Sequence, residues 1–191
     1  MAYIEPSTAW LRDGRPFTVR TAYPADAEDM RNLTRETIAE KDSGLLLTAE
    51  EFQLSVQDQA ERIQNSFNSP WHTLAVARHE GKLAGVASFE PEQMLQKLRH
   101  HGLMGLIVAK EYRSLGVGRT LLTTLLKWAA EQPHLKKAGL EVISTNEPAI
   151  SLYLSLGFQP AGRFHNHVHL GNARYADVYR MERPLRYDDN K

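Results

Sequence analysis

The chain has no cysteine in its 191 residues, which excludes disulfides, thiolate-bound zinc and a cysteine nucleophile, although it says little about redox compartment. It also lacks an excess of either charge. With 23 lysines and arginines against 23 aspartates and glutamates, there is no concentrated positive field to hold a phosphate backbone, and nucleic acid is not expected as the main partner. Long apolar runs are missing too. No stretch approaches the roughly 20 residues of a membrane span, and no basic segment leads into a signal-type apolar core at the amino terminus, so no membrane partner is expected and the reading is cytoplasmic. Repeats and low-complexity segments are absent. What remains is ordinary globular material, 42% hydrophobic and 24% charged, long enough for a single sizeable core. Its boundaries read as an N-terminal extension at residues 1–15, one domain at 16–186 and a polar tail at 187–191.

The most informative stretch begins with Leu103, Met104, Leu106, Ile107 and Val108, a short apolar run that predicts a buried strand. Gly105 interrupts it, which marks a bulge or a close approach of another backbone or ligand. A turn follows through Arg113, Ser114, Leu115, Gly116, Val117 and Gly118. Then Leu121, Leu122, Leu125, Leu126 and Ala129 recur at helical spacing, so a helix is expected to open at about Arg119. Helix amides of the first turn have no internal partner and sit at the positive end of the dipole. Glycines at 116 and 118 would let an anion approach them, with Arg113 and Arg119 adding charge. A dinucleotide fingerprint would need a third glycine where Leu121 stands, and the Gly-Lys-Ser/Thr of a P-loop is absent.

The rest of the chain supplies strands and helices around that unit. Phe17 and Val19 predict a first strand, and Pro24 and Asp26 start a helix carrying Met30, Leu33, Thr37 and Ile38. Thr48 and Glu51 resemble a capping box for a second helix that runs through Phe52, Leu54, Val56, Ile63 and Phe67. Residues 73–77 and 83–89 read as a hairpin, and 137–143 as a strand before a helix with Pro148 in its first turn. Two successive strand-helix units imply parallel pairing there. A last hairpin turns at Gly171 and Asn172. Along its first arm His165, His167 and His169 alternate with other residues, which places them on one strand face, but that spacing does not converge on a metal, and no metal is expected.

Residues 113–118 match the Arg/Gln-x-x-Gly-x-Gly/Ala turn of the GNAT acyl-CoA-dependent N-acetyltransferases. A second block, with Asn146, Ala149, Tyr153, Gly157 and Phe158, resembles the same family, and the likeness covers about residues 17–185. The fold class it implies is α/β: a twisted, mixed sheet of about seven strands flanked by helices, with its two central strands splayed around acetyl-CoA as co-substrate. By that resemblance the backbone of Leu106, Ile107 and Val108 would pair with the pantetheine arm. Arg113, Ser114, Leu115, Gly116, Val117, Gly118, Arg119 and Thr120 would hold the pyrophosphate, and Asn146 would orient the ligand or cap its helix. Tyr153 would be catalytic, protonating the departing thiolate.

The implied activity is acetyl transfer to a primary amine of a small molecule such as an amino acid. The alternatives are an acyl-CoA-binding regulatory module and a protein or peptide N-acetyltransferase, and a homodimer is compatible with the likeness. The chain departs from the family at one point. Where many relatives carry a glutamate on the central strand, it has Leu103 and Met104, so Glu90, His100 or a water chain are left as proton acceptors and no base is assigned.

Overall fold

A computed structural model describes residues 3–40, 43–92 and 95–186. Eight strands form one sheet: β1 (Ser7–Trp10), β2 (Pro16–Thr21), β3 (Thr73–His79), β4 (Lys82–Pro91), β5 (His101–Val108), β6 (Lys137–Ile143), β7 (Gln159–His169) and β8 (Tyr175–Pro184). They run in the order β1-β2-β3-β4-β5-β6-β8-β7. Four helices pack on it: α1 (Ala27–Ile38), α2 (Val56–Asn68), α3 (Val117–Glu131) and α4 (Glu147–Ser155). Among the described residues no helix is long and apolar enough to cross a membrane.

The sheet has one strand more than expected. The added strand is β1, in the segment read as an extension, where Ser7 to Trp10 pair antiparallel with β2 and Ile4 and Leu11 are buried on either side. The short strand leaves Trp10 in solvent, so no apolar period announces it. Helix α2 also starts later than its first capping signal. The Thr48 and Glu51 box does form, but it closes only a turn, whereas Ser55 accepts from the Asp58 amide at 3.0 Å and heads the actual helix. The tail at 187–191 lies outside the described residues.

Helix α3 supplies the centre of the core. Leu121, Leu122, Leu125 and Ala129 are fully buried, and Trp128 meets Phe89 of β4 edge to face at 5.8 Å. The helix opens at Val117, two residues before the position its apolar period suggested, because Gly116 takes the N-cap at φ +100°. Its dock against β5 needs Gly118 as well: a Cβ there would stand 3.1 Å from Leu106 Cδ2 and 3.4 Å from Val108 Cγ2.

Between β5 and β6 the parallel ladder lasts for only three pairs, ending at Leu103 opposite Gly139. On the other side of β5 the pairing with β4 continues to Val108, and β6 stays paired with β8 along its whole length. The two central strands therefore part beyond Leu103 and open a wedge in the sheet. Helix α1 is held beside it by the buried carboxylate of Asp26, which accepts from Arg20 at 2.7 and 2.9 Å and from Arg78 at 2.7 and 3.0 Å. That cluster joins the ends of β2 and β3 to the start of α1.

The expected histidine face is interrupted. Between Phe164 and Val168 the register of β7 against β8 slips, Asn166 adopts φ +51°, and its N–H donates to the Asp177 carboxylate at 2.7 Å. Arg163 binds the same carboxylate, so the strand bulges around Asp177 and His165, His167 and His169 no longer alternate along one regular face.

Candidate active site

The wedge between β5 and β6 encloses a cleft of about 400 Å³. Its walls are Met104 to Val108 on one side and Glu141, Val142, Asn146, Ala149, Leu152 and Tyr153 on the other, with Thr37, Glu40 and Leu45 across the top. One edge of β5 is engaged by β4 here, and the opposite edge faces the cleft without a strand partner beyond Leu103 among the described residues. An extended ligand bearing amides could use that edge as a neighbouring strand would.

At the end of β5 the chain turns into α3. None of the main-chain N–H groups from Ser114 to Arg119 donates to a main-chain acceptor among the described residues; the first to do so is Thr120, to the Gly116 carbonyl at 3.0 Å. These unpaired donors, clustered at the positive end of a 15-residue helix, form a cradle for an anion. Gly116 is the hinge of the cradle: its left-handed φ is one that a β-branched residue resists, and a Cβ there would meet nothing within 4 Å, so the approach is open. Val117 contributes only its amide, its side chain being fully buried in the core. The loop is braced from behind, where the Arg12 N–H donates to the Leu115 carbonyl at 3.0 Å.

The two arginines point elsewhere. Arg113 makes a two-pronged bridge to Glu40 at 2.6 Å on each arm, and its Nε donates to the Val108 carbonyl at 3.0 Å. That bridge holds the Glu40 carboxyl below its usual range and ties the end of α1 to the turn. Arg119 donates to Ser155 Oγ of α4 at 2.7 Å. The cradle as it stands is therefore a matter of backbone dipoles, with Thr120 Oγ1 turned back to the Gly116 carbonyl.

Across the wedge, Asn146 caps α4, its Oδ1 accepting from the Ala149 amide at 3.3 Å while the residue lines the cleft. Tyr153, one turn further on, is 8% exposed and packs edge to face on Phe158 at 6.0 Å. Burial pushes its phenol up to about 12, so it keeps its proton through the physiological range.

A second cavity of about 460 Å³ lies between β3 to β5 and the pair α1 and α2. Apolar walls from Met30, Leu47, Phe52 and Leu54 face a polar group made of Gln59, Arg62, Asn65, His72, Ser88 and Glu90. Gly105, Leu106 and Ile107 line both cavities, as does Leu45, and β5 separates the two at that level. Gly105 is opposite Ser88 in regular register, without the bulge one sequence reading allowed. A Cβ would lie 2.8 Å from Ser88 Oγ, the close approach the other reading allowed.

Of this polar group sequence reasoning named only Glu90, as one of the possible proton acceptors, because the other members come from α2, the segment before β3, and β4 and meet only in the fold. His100, one of the proton acceptors considered, lines neither cavity; it is exposed and stacks edge to face on His101 at 4.9 Å. Among the described residues no group of His, Asp and Glu is set to hold a metal.

The model of the Acetyltransferase (GNAT) family matches residues 38–158. A curated N-alpha-acetyltransferase of Sulfurisphaera tokodaii is 34% identical over 83 residues, 44% of this chain and 47% of that protein, so the chain spans about half the length of such relatives. Among solved structures, a GNAT-family acetyltransferase from Streptococcus pneumoniae superposes with a TM-score of 0.81 at 24% identity, covering 88% of this chain and 99% of that one. A GNAT superfamily phosphinothricin acetyltransferase from Sinorhizobium meliloti, solved in complex with acetyl-CoA, gives 0.77 at 23% identity, covering 88% of each chain. These two likenesses concern the fold.

Proposed function

The chain belongs to the GNAT acetyltransferase family, and from that premise we propose that it moves an acetyl group from acetyl-CoA to a primary amine by direct attack. The observation that carries this reading is the meeting of two cavities at Gly105: a thioester lying in the wedge and an amine in the second cavity would reach each other across the edge of β5. Unpaired amides from Ser114 to Arg119 would bind the diphosphate, and the open edge of Leu106 and Ile107 would pair with the pantetheine amides. The Val108 carbonyl is held by Arg113, so its share in that pairing requires the arginine to swing aside.

Catalysis in such a site is mainly alignment of two reactants, with stabilisation of the charge that develops on oxygen and then sulfur. Tyr153, protonated and lining the wedge, would donate its hydroxyl to the sulfur as the carbon–sulfur bond breaks. The second cavity is small and carries one arginine beside one glutamate, which suits an acceptor with both an ammonium and a carboxylate, such as an amino acid. Peptide amino termini are a second reading, favoured by curated relatives that are named N-alpha-acetyltransferases.

Thiol release from acetyl-CoA across free L-amino acids, their amides, spermidine and short peptides tests both readings. Turnover is expected with free amino acids above their amides and above spermidine. Turnover confined to peptides would favour the second reading, and acetyl-CoA binding without thiol release for any amine would mark a binding module instead of an enzyme.

A further inference from the structure

Family relatives with a glutamate on the central strand have a proton acceptor on β5 itself, and here that place is filled by Leu103. The sheet register puts another carboxylate directly beside it. Glu90 of β4 is the cross-strand partner of Leu103, and directly opposed residues in an antiparallel pair project from the same face. The next pair on that face is Ser88 with Gly105, the residue shared by both cavities. Two residues along a strand span about 6.7 Å, a distance that a glutamate side chain and one hydrogen bond cover. Glu90 lines the second cavity, and its side chain is half exposed to solvent at 52%.

Behind this carboxylate stands His72. Its Nε2 lies 3.7 Å from Glu90 Oε1, is shielded from solvent, and has no hydrogen-bond partner among the described residues. A buried polar atom without a partner is uncommon and calls for an explanation. Among the described residues the other charged side chain on this cavity is Arg62 of α2, and α1 and β5 present no titratable group to it. Burial holds the imidazole below its ordinary 6.5, Glu90 acting against that shift and Arg62 with it. At neutral pH the ring is therefore uncharged, and its unpartnered Nε2 faces the Glu90 carboxyl oxygen.

We propose that Glu90 is the proton acceptor for the amine, with His72 as the positioning residue that flanks its carboxylate and shares the proton once it arrives. In that step the nitrogen lone pair forms the bond to the thioester carbon. The carbon–sulfur bond breaks with its electron pair going to sulfur, and the surplus proton on nitrogen passes to Glu90 Oε1. Sulfur is met by the Tyr153 hydroxyl, and both residues then exchange protons with solvent. The inference rests on the acetyl-transfer reading above.

Two variants and one titration test it, using the amine from the panel that gives most thiol release. Glu90→Gln is expected to lower kcat about 100-fold, the low end for a lost acid–base group because water can substitute in part, with acetyl-CoA affinity and melting temperature unchanged. Glu90→Asp should recover part of the rate. His72→Gln should lower kcat less and remove the part of the fall in rate below pH 6.5 that comes from protonation of the His72 ring. Independently of activity, nitrogen-resolved NMR should find the His72 ring titrating below 6.5, and lower still in Glu90→Gln. Wild-type turnover with an unaffected Glu90→Gln rate overturns the inference, as does a His72 titration indifferent to Glu90. Wild-type acetyl-CoA binding with no thiol release for any amine overturns the function reading and the inference together.

Discussion

Tyr153→Phe is expected to lower kcat by about 100- to 10,000-fold, the range for a positioned acid–base group, and to leave acetyl-CoA affinity almost unchanged. The phenylalanine keeps the ring against Phe158 and keeps the wall of the wedge, so only the hydroxyl is lost. That hydroxyl is held protonated by burial, which pushes its ionisation up to about 12. On the proposed reading its contribution belongs to the moment when sulfur gains charge, not to ground-state binding, and a loss in kcat without a loss in affinity is the signature of such a group. Stopped-time thiol release at saturating acetyl-CoA and amine, paired with calorimetric binding, measures both quantities. Equal kcat in the two proteins would remove the residue from the chemistry.

Asp26→Ala carries the largest expected effect on stability. The carboxylate is nearly inaccessible, its side chain 3% exposed, and it accepts from two guanidiniums and from the Tyr23 amide at 2.8 Å. Removing it leaves Arg20 without its carboxylate, Arg78 with Asp29 alone and the start of α1 untied, a loss of about 3 kcal/mol, the lower part of the range for breaking a buried pair because both arginines keep one side in water and Arg78 keeps a partner. Against a typical total of about 5–15 kcal/mol, that is visible as a clear drop in the urea midpoint at pH 7.

The acid side should respond as well. Burial pushes the Asp26 carboxyl up, but the bonds from Arg20, the Tyr23 amide and Arg78 outweigh it and hold the group below its ordinary 3.8. A folded value below the unfolded one means that the stabilisation is present above pH 3.8 and is lost as pH falls through the lower folded value. Asp26→Ala should therefore show a shallower loss of stability below that pH than the wild-type protein. An unchanged urea midpoint would show that the cluster does not hold α1 in place.

The turn at Gly116 was legible in the sequence because its requirement is local. A left-handed residue at a helix entrance calls for glycine, and an apolar period follows at once, so only the first helical residue was misplaced, by two positions. The capping of α4 by Asn146 is local in the same way. The start of α2 was not, because two capping boxes compete within ten residues and only packing decides which one heads a helix. Strand β1 left no periodic trace, since an edge strand of four residues with Trp10 in solvent buries too little to pattern its sequence. The histidine face failed for a different reason. Strict alternation assumes a regular strand, and the Asp177 carboxylate draws Asn166 into a bulge that no two-residue count foresees.

The proposed proton acceptor was legible only in part, since Glu90 stood beside His100 and a water chain with nothing in the sequence to choose between them. The sequence announces the missing glutamate at Leu103, but its neighbour across the ladder is set by the register of β4 on β5, and His72 is 18 positions from Glu90. The parting of β5 from β6 was expected from the family resemblance, but neither its position after three pairs nor the meeting of two cavities at Gly105 has a sequence signature, because both arise from how distant strands twist against each other.

Calorimetric titration of acetyl-CoA into the folded wild-type chain and into Gly116→Val tests the central claim most directly. A valine relaxes the turn out of its left-handed conformation, and binding must restore it at about 1–2 kcal/mol, so affinity should fall roughly 5- to 30-fold while the melting temperature is kept. The account predicts one acetyl-CoA bound per wild-type chain and that weaker binding in the variant. A well-folded wild-type chain with no affinity for acetyl-CoA or CoA, or a variant that binds as tightly as wild type, would contradict it.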